Sequence, residues 1–277
     1  MLFTAIWGDC AVPLLLEDVA FRDWIERFLA IELRPVSGAG DEPPVITVRR
    51  TESGWEIDAP HGPRAAERDE DAAFLLFLVL GYEFQARTRQ TLVHAGAFVN
   101  DGGAVVYLAG LRQGKSRLTF AAWRKGYAVL GDDRIALLFD DNAVRSLPRC
   151  LQLRLEDGHV HAAWRAGVPD DAAFIAELGG ERRWILSRGL PGIVDCQAAV
   201  PIRAVALLRR VETGPTRLDE IPVSAVLGEA LPYTELGAAT PMDVLRFLNA
   251  HANGGRLLRL NVAPDEIDQA LSLLARL

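Results

Sequence analysis

The residues with the clearest chemical potential form one run, Ala109-Gly110-Leu111-Arg112-Gln113-Gly114-Lys115-Ser116. An apolar stretch ending at Leu108 reads as a strand before it. KSRLTFAAWRKG, starting at Lys115, is helical in period and closed by Gly126. Strand, glycine-rich turn and helix make up the setting that a phosphate loop, GxxxxGK(S/T), requires. Glycine lets backbone N–H groups approach phosphate oxygens, and the helix N-terminus adds positive potential. Lys115 would reach the β- and γ-phosphates, and the Ser116 hydroxyl would ligate Mg2+. The pattern's first glycine is replaced by Ala109, and Gly110 is expected to absorb the unusual backbone angle there. The ligands implied are ATP and Mg2+.

Seventeen residues after Lys115 comes Asp132, in Gly131-Asp132-Asp133. Carboxylates at the C-terminal end of a strand beside such a loop are placed to meet a bound nucleotide. One could hold Mg2+ and the other accept the proton of an attacking hydroxyl; read alone, Gly-Asp-Asp is equally good turn chemistry. His94 stands in LVHAGAFV, where a lone histidine among apolar neighbours usually belongs to the core. His159-Val160-His161 puts two imidazoles on one strand face with no partner for a metal, so an exposed strand end is the expectation. Arginines crowd the stretch after the aspartates; most read as solvated surface charges, and one of Arg182, Arg183 and Arg188 could serve to stabilise a transferred phosphoryl group. Trp123, on the helix after the loop, reads as core. No GxSxG, HExxH or GxGxxG pattern occurs, so hydrolase and dinucleotide readings have no support.

These residues must be positioned by a folded frame. LVHAGAFV and GAVVYLAG read as two strands turned by Asn100-Asp101-Gly102-Gly103. YAVLGDD and RIALLF read as further strands, followed by short strands and polar turns up to Arg188. The tail reads as a strand at IRAVALLRRV, a helix at MDVLRFLNAHAN capped by Thr240-Pro241, a strand at RLLRLNV and a helix from Pro264. Before residue 90 lie two short strands, Leu2 to Trp7 and Val12 to Leu16. A helix follows from Asp18 to Leu33, then a loop from Ser37 to Pro44, a hairpin at VITVRRTESGWEID and a helix from Glu67 to Arg89.

Composition sets the outer bounds. The 277 residues carry 30 Lys+Arg against 37 Asp+Glu, a net charge of −7, which argues against a broad nucleic-acid-binding surface. Half the residues are hydrophobic, enough apolar surface to exclude a chain disordered for want of a core. Cys10, Cys150 and Cys196 are widely spaced, and buried free thiols are expected. The most apolar run, Ala72 to Tyr82, has 11 residues, too few for a membrane span of roughly 20. With no basic flank at the N-terminus, the expectation is a cytoplasmic protein without membrane or nucleic-acid partners.

His94 to Gly96, the hairpin, the phosphate loop, a helix closed by Lys125-Gly126-Tyr127 and a strand running into Asp132-Asp133 follow one another in order. Together they resemble the P-loop kinase domain of the HPr kinase/phosphorylase family and its shorter relatives. The resemblance is specific from about Leu92 to Leu138, vague in the tail and absent before residue 90. It implies an α/β fold with an HPr kinase-like catalytic domain over 91–277. The small α+β domain read over 1–90 lies outside the resemblance and stands as a candidate peptide-docking unit. By the same resemblance Lys115 and Ser116 bind phosphate and Mg2+, and Asp132 is the base toward a substrate hydroxyl. Asp133 is the metal or water ligand, and His94 neighbours the transferred phosphoryl group. Homo-oligomers are implied too, because HPr kinases are hexamers.

Two departures refine the match. Arg117 follows Ser116 where HPr kinases proper carry glutamate, and their C-terminal phosphorylase signature is not recognisable. The better match is to HPr kinase-like proteins found beside ribosomally made peptides, whose lasso-peptide subset phosphorylates a serine of the precursor. The leading expectation is therefore a kinase acting on a serine-type hydroxyl of a peptide or protein. Transfer of a phosphoryl or nucleotidyl group to a small molecule stays open. So does a non-catalytic, nucleotide-sensing peptide-binding module, which Ala109 and Arg117 keep in play.

Overall fold

The structure, a computed structural model, describes residues 1–36, 43–155, 160, 162–253, 256–263 and 265–277. It is a mixed α/β protein whose chain divides into two compact units, Met1–Thr88 with Leu147–Pro191, and Arg89–Ser146 with Gly192–Leu277. A division at residue 90 therefore misses that 147–191 folds with the first unit. The physical reason is local to that unit. Phe174 sits 4.9 Å from both the Trp24 and Phe28 rings, and Cys150 Sγ reaches the Phe28 carbonyl at 3.4 Å.

The first unit holds a six-stranded sheet in the order Glu32–Pro35, Leu2–Trp7, Cys10–Leu16, Ile46–Thr51, Gly54–Asp58, Arg64–Ala66. Leu2–Trp7 alternates half-buried and buried, as a strand with one covered face must. The first helix is shorter than its apolar period suggests, Ala20–Leu29 rather than 18–33. Ala30 takes a left-handed φ of 52° and ends it, and the chain continues as the strand Glu32–Pro35. Ile31 and Leu33 fit both a helical and an alternating pattern, which is why the period ran on. The long helix Asp69–Arg87 opens with three acidic residues and closes with Arg87, matching the helix dipole. Leu151–Arg154, Glu181–Leu186 and Ala173–Leu178 form a separate three-stranded sheet.

The second unit is built on a sheet in the order Ala143–Ser146, Arg134–Leu138, Thr91–Asn100, Gly103–Leu108, Val200–Arg210, Arg256–Val262, Arg217–Pro222. Gly103–Leu108, Val200–Arg210 and Arg256–Val262 run parallel; the flanking pairs are antiparallel. On the central strand Thr91–Asn100 the two faces have different tasks. Val93, Ala95 and Ala97 join the apolar cluster that Val223, Val226, Val244 and Phe247 close from the helices Val223–Ala230 and Pro241–Ala250. His94 and Gly96 point the other way, toward the helix Lys115–Arg124.

Thr240 caps its helix as expected, in a reciprocal box with Asp243 and with Pro241 in the first turn. The strand Arg217–Pro222 and the helix Val223–Ala230 were not anticipated. The last helix runs Ile267–Leu274, Pro264 lying outside the described residues. Also outside them are His159, His161 and most of the expected 37–44 loop. The three cysteines are free and buried, and no helix among the described residues is long and apolar enough to cross a membrane.

Candidate active site

The loop begins where Gly103–Leu108 leaves the sheet. Ala109 is 2% exposed, and its N–H still donates to the His94 carbonyl at 3.1 Å, so it continues the strand. The unusual backbone angles therefore lie further on than the Ala109 substitution suggested. Arg112 has φ 60° and Gly114 φ 95°, whereas Gly110 is not in the left-handed region. Gly110 has a different need: a Cβ there would stand 3.0 Å from Tyr233 Cε2. Gly114 is the N-cap of the helix, its carbonyl accepting from Leu118 N at 3.0 Å. Gln113 ties the loop to the neighbouring strand by accepting from Arg210 N at 2.8 Å, while Leu111 stands 66% exposed.

Lys115 is the first residue of the helix, yet its side chain is buried. Its Nζ donates to the carbonyls of Gly110 at 2.7 Å and Ala109 at 3.2 Å, and lies 3.4 Å from His94 Nδ1. Burial pushes this ammonium down to about 8, opposed by attraction to Asp133 and Asp132. Across the ring, His94 Nε2 lies 3.0 Å from Asp133 Oδ1. A neutral imidazole satisfies both contacts as the Nε2–H tautomer, donating to Asp133 and accepting from Lys115 at Nδ1. Burial holds this histidine below its ordinary pKa, with the Asp133 hydrogen bond working the other way, so the neutral form is favoured.

The aspartates occupy a break between two short strands. Ala128–Gly131 and Arg134–Leu138 both pair with Thr91–Asn100 along one edge, Gly131 opposite Ala97 and Arg134 opposite His94. The break leaves Asp132 buried and Asp133 about one-fifth exposed beside His94. Gly96 of the His-Ala-Gly run has a packing reason. A Cβ at that position would come within 2.3 Å of the Tyr107 ring and 2.8 Å of Thr119 Oγ1. Tyr107 is fully buried, hydrogen-bonded to Thr119 on the loop helix, and burial raises its phenol pKa. Thus Gly96 lets the helix that presents Lys115 and Ser116 settle close to the strand that presents His94.

The structure brings His94, Lys115 and Asp133 into one contact chain, with Asp132 adjacent in sequence and coupled electrostatically to Lys115. Arg182, Arg183 and Arg188 belong to the first unit, where Arg183 holds Gln152 and Glu181 and Arg188 donates to the Arg149 carbonyl. Within the second unit the arginine beside the aspartates is Arg134, whose Nη2 lies 3.1 Å from Glu235 Oε1. Sequence reasoning missed it because Arg134 reads simply as the first residue of an apolar strand. Among the described residues no cluster of three or more His, Cys, Asp or Glu could cage a metal.

No protein-family model matches the chain, and no curated protein matches it. Among solved structures it is similar to the HPr(Ser) kinase/phosphatase from Coxiella burnetii, over 67% of this chain and 93% of that one. The identity is 14% and the TM-score 0.29, a distant likeness that assigns no function.

Proposed function

We propose that this protein is an ATP- and Mg2+-dependent kinase that moves a γ-phosphoryl group to a serine-type hydroxyl of a peptide or protein. One observation carries the reading. A buried lysine at the start of a helix, behind a loop turned at Arg112 and Gly114, contacts a histidine that is itself held by one of two aspartates. A fold tolerates an ammonium in such a place at a cost of several kcal/mol, and an anionic ligand would offset that cost.

In this reading the loop amides and Lys115 hold the nucleotide's phosphates and orient the γ-phosphorus. The acceptor oxygen attacks that phosphorus, its proton passes to the Asp132 carboxylate, and the bond to the ADP oxygen breaks. His94 keeps Asp133 and Lys115 in register on either side of the transferred group. The Ser116 hydroxyl and the Asp133 carboxylate are hard oxygen donors and would hold Mg2+, which takes most of its shell from phosphate and water rather than from a protein cage. When bound, that ion screens the phosphate charge. The peptide acceptor, with a lasso-type precursor as the specific case, is supported by the sequence resemblance over 92–138.

The test is mass spectrometry of serine-bearing candidate peptides incubated with the protein, ATP and Mg2+. The gain of one phosphate is the expected result. Asp132→Asn should lower the rate on the order of 10²–10⁴-fold, the usual worth of a general base. An unchanged rate would remove Asp132 from that role.

A further inference from the structure

The shortest strand of the second unit, Thr234–Glu235, pairs with the histidine strand, Thr234 opposite Val93 and Glu235 opposite Leu92. Leu108 lies opposite Ala95 along the same edge, and Ala109 makes one further hydrogen bond to His94 before the chain departs into the loop. The 234–235 segment therefore takes the sheet position that the loop vacates. It is anchored there: Thr91 Oγ1 donates to the Leu236 carbonyl at 2.8 Å, and the Tyr233 ring lies 6.0 Å from the His94 ring.

Residues opposite one another in a ladder share a face. Arg134 is opposite His94, and Glu235 is opposite Leu92, so the ion pair between them crosses the sheet face that carries His94. Nη2 of the guanidinium meets Glu235 in that pair, and Arg134 Nε is buried with no hydrogen-bond partner among the described residues. Arg134 also contributes positive potential at both Lys115 and His94. A fork of donors held still by a carboxylate, with capacity to spare, suits a phosphoryl group.

We propose that Arg134, aimed by Glu235, meets the terminal phosphoryl group of the bound nucleotide, an assignment that rests on the kinase reading above. Arg134 is then a binding residue and Glu235 a positioning residue. The sharpest readout compares ADP with the non-hydrolysable β,γ-imido analogue of ATP, each titrated with Mg2+ by calorimetry. Wild type is expected to prefer the analogue by about tenfold or more, the worth of one charged hydrogen bond. Arg134→Ala should abolish the preference while ADP affinity stays within about threefold, and Glu235→Gln should reduce it.

A charge swap separates function from mere support. Arg134→Glu combined with Glu235→Arg restores an ion pair, and should restore the melting temperature without restoring the preference. A purely structural pair would recover both, which would overturn the proposal. Arg134→Lys, keeping the charge but losing the fork, covers the case in which the alanine variant does not fold, and should retain only part of the preference. A preference that survives in Arg134→Ala or Arg134→Lys undiminished, or is absent from wild type, also overturns the proposal. If wild type binds neither nucleotide, the kinase reading fails and this assignment with it; if it binds both and phosphorylates, only this assignment is at stake.

Discussion

The two units bury different things. In the first, aromatic rings gather, with buried Phe28 and Phe77 and half-buried Trp24 around a half-buried Phe174 at centroid distances of 4.9–6.4 Å. Its ion pairs Arg34–Glu32 and Arg49–Glu56 are substantially exposed, a kind that solvent and salt screen and that adds little to stability. Two charged side chains are buried there, each with a partner: Glu83 stands one helical turn from Arg87, and Arg188 donates to the Arg149 carbonyl. In the second unit Lys115, His94 and Asp132 are buried around a strand-to-helix turn, on the opposite sheet face from an apolar cluster that would have been a cheaper place for apolar side chains. Burying charge is costly, and perturbed groups gathered at one strand-to-helix turn are what a functional site is expected to show.

That contrast can be broken from either side. The largest effect is expected in the first unit, where Phe28→Ala removes the ring stacked on Trp24 and packed against Phe174. It should cost about 3–5 kcal/mol by denaturant unfolding and leave nucleotide affinity of the folded protein unchanged. Gly96→Ala is the converse, a packing change inside the site. Its Cβ must displace Tyr107 or Thr119, costing about 1–3 kcal/mol and also weakening nucleotide binding, because the helix bearing Lys115 moves. An effect on stability alone would separate the packing of Gly96 from the site.

Smaller effects come from the helix Pro241–Ala250. Thr240→Ala removes the cap and should cost about 1 kcal/mol. Hydrogen bonds from Thr240 hold the Asp243 carboxyl below its ordinary value of 3.8. A carboxyl depressed in the folded state contributes stability that is present above its unfolded value and lost as pH falls through the folded one. Melting curves of wild type and Asp243→Asn should therefore differ slightly at neutral pH and converge as pH falls below the carboxyl's ordinary value.

The elements that carry local signals were legible in the sequence. Thr240-Pro241 marks a helix start, the Asn100–Gly103 turn marks a hairpin, and the loop is recognisable by its spacing from Ala109 to Ser116. What could not be read is set by contacts distant along the chain. Nothing local tells that 147–191 returns to the first unit, since Phe174 meets Trp24 only in the fold. Arg134 and Glu235 are about a hundred residues apart, joined only because both flank the histidine strand. The backbone of the loop was misplaced for another reason. Ala109 remains hydrogen-bonded to His94 as part of the sheet, so the left-handed positions fall at Arg112 and Gly114.

The central claim is that the buried ammonium of Lys115 is there to meet nucleotide phosphate. Titration of ATP with Mg2+ into wild type and Lys115→Ala, followed by calorimetry, tests it most directly. The account predicts saturable binding to wild type and a loss on the order of a hundredfold in the variant, the worth of one or two desolvated charged contacts. Equal affinity in both proteins, or no binding to wild type, would contradict it.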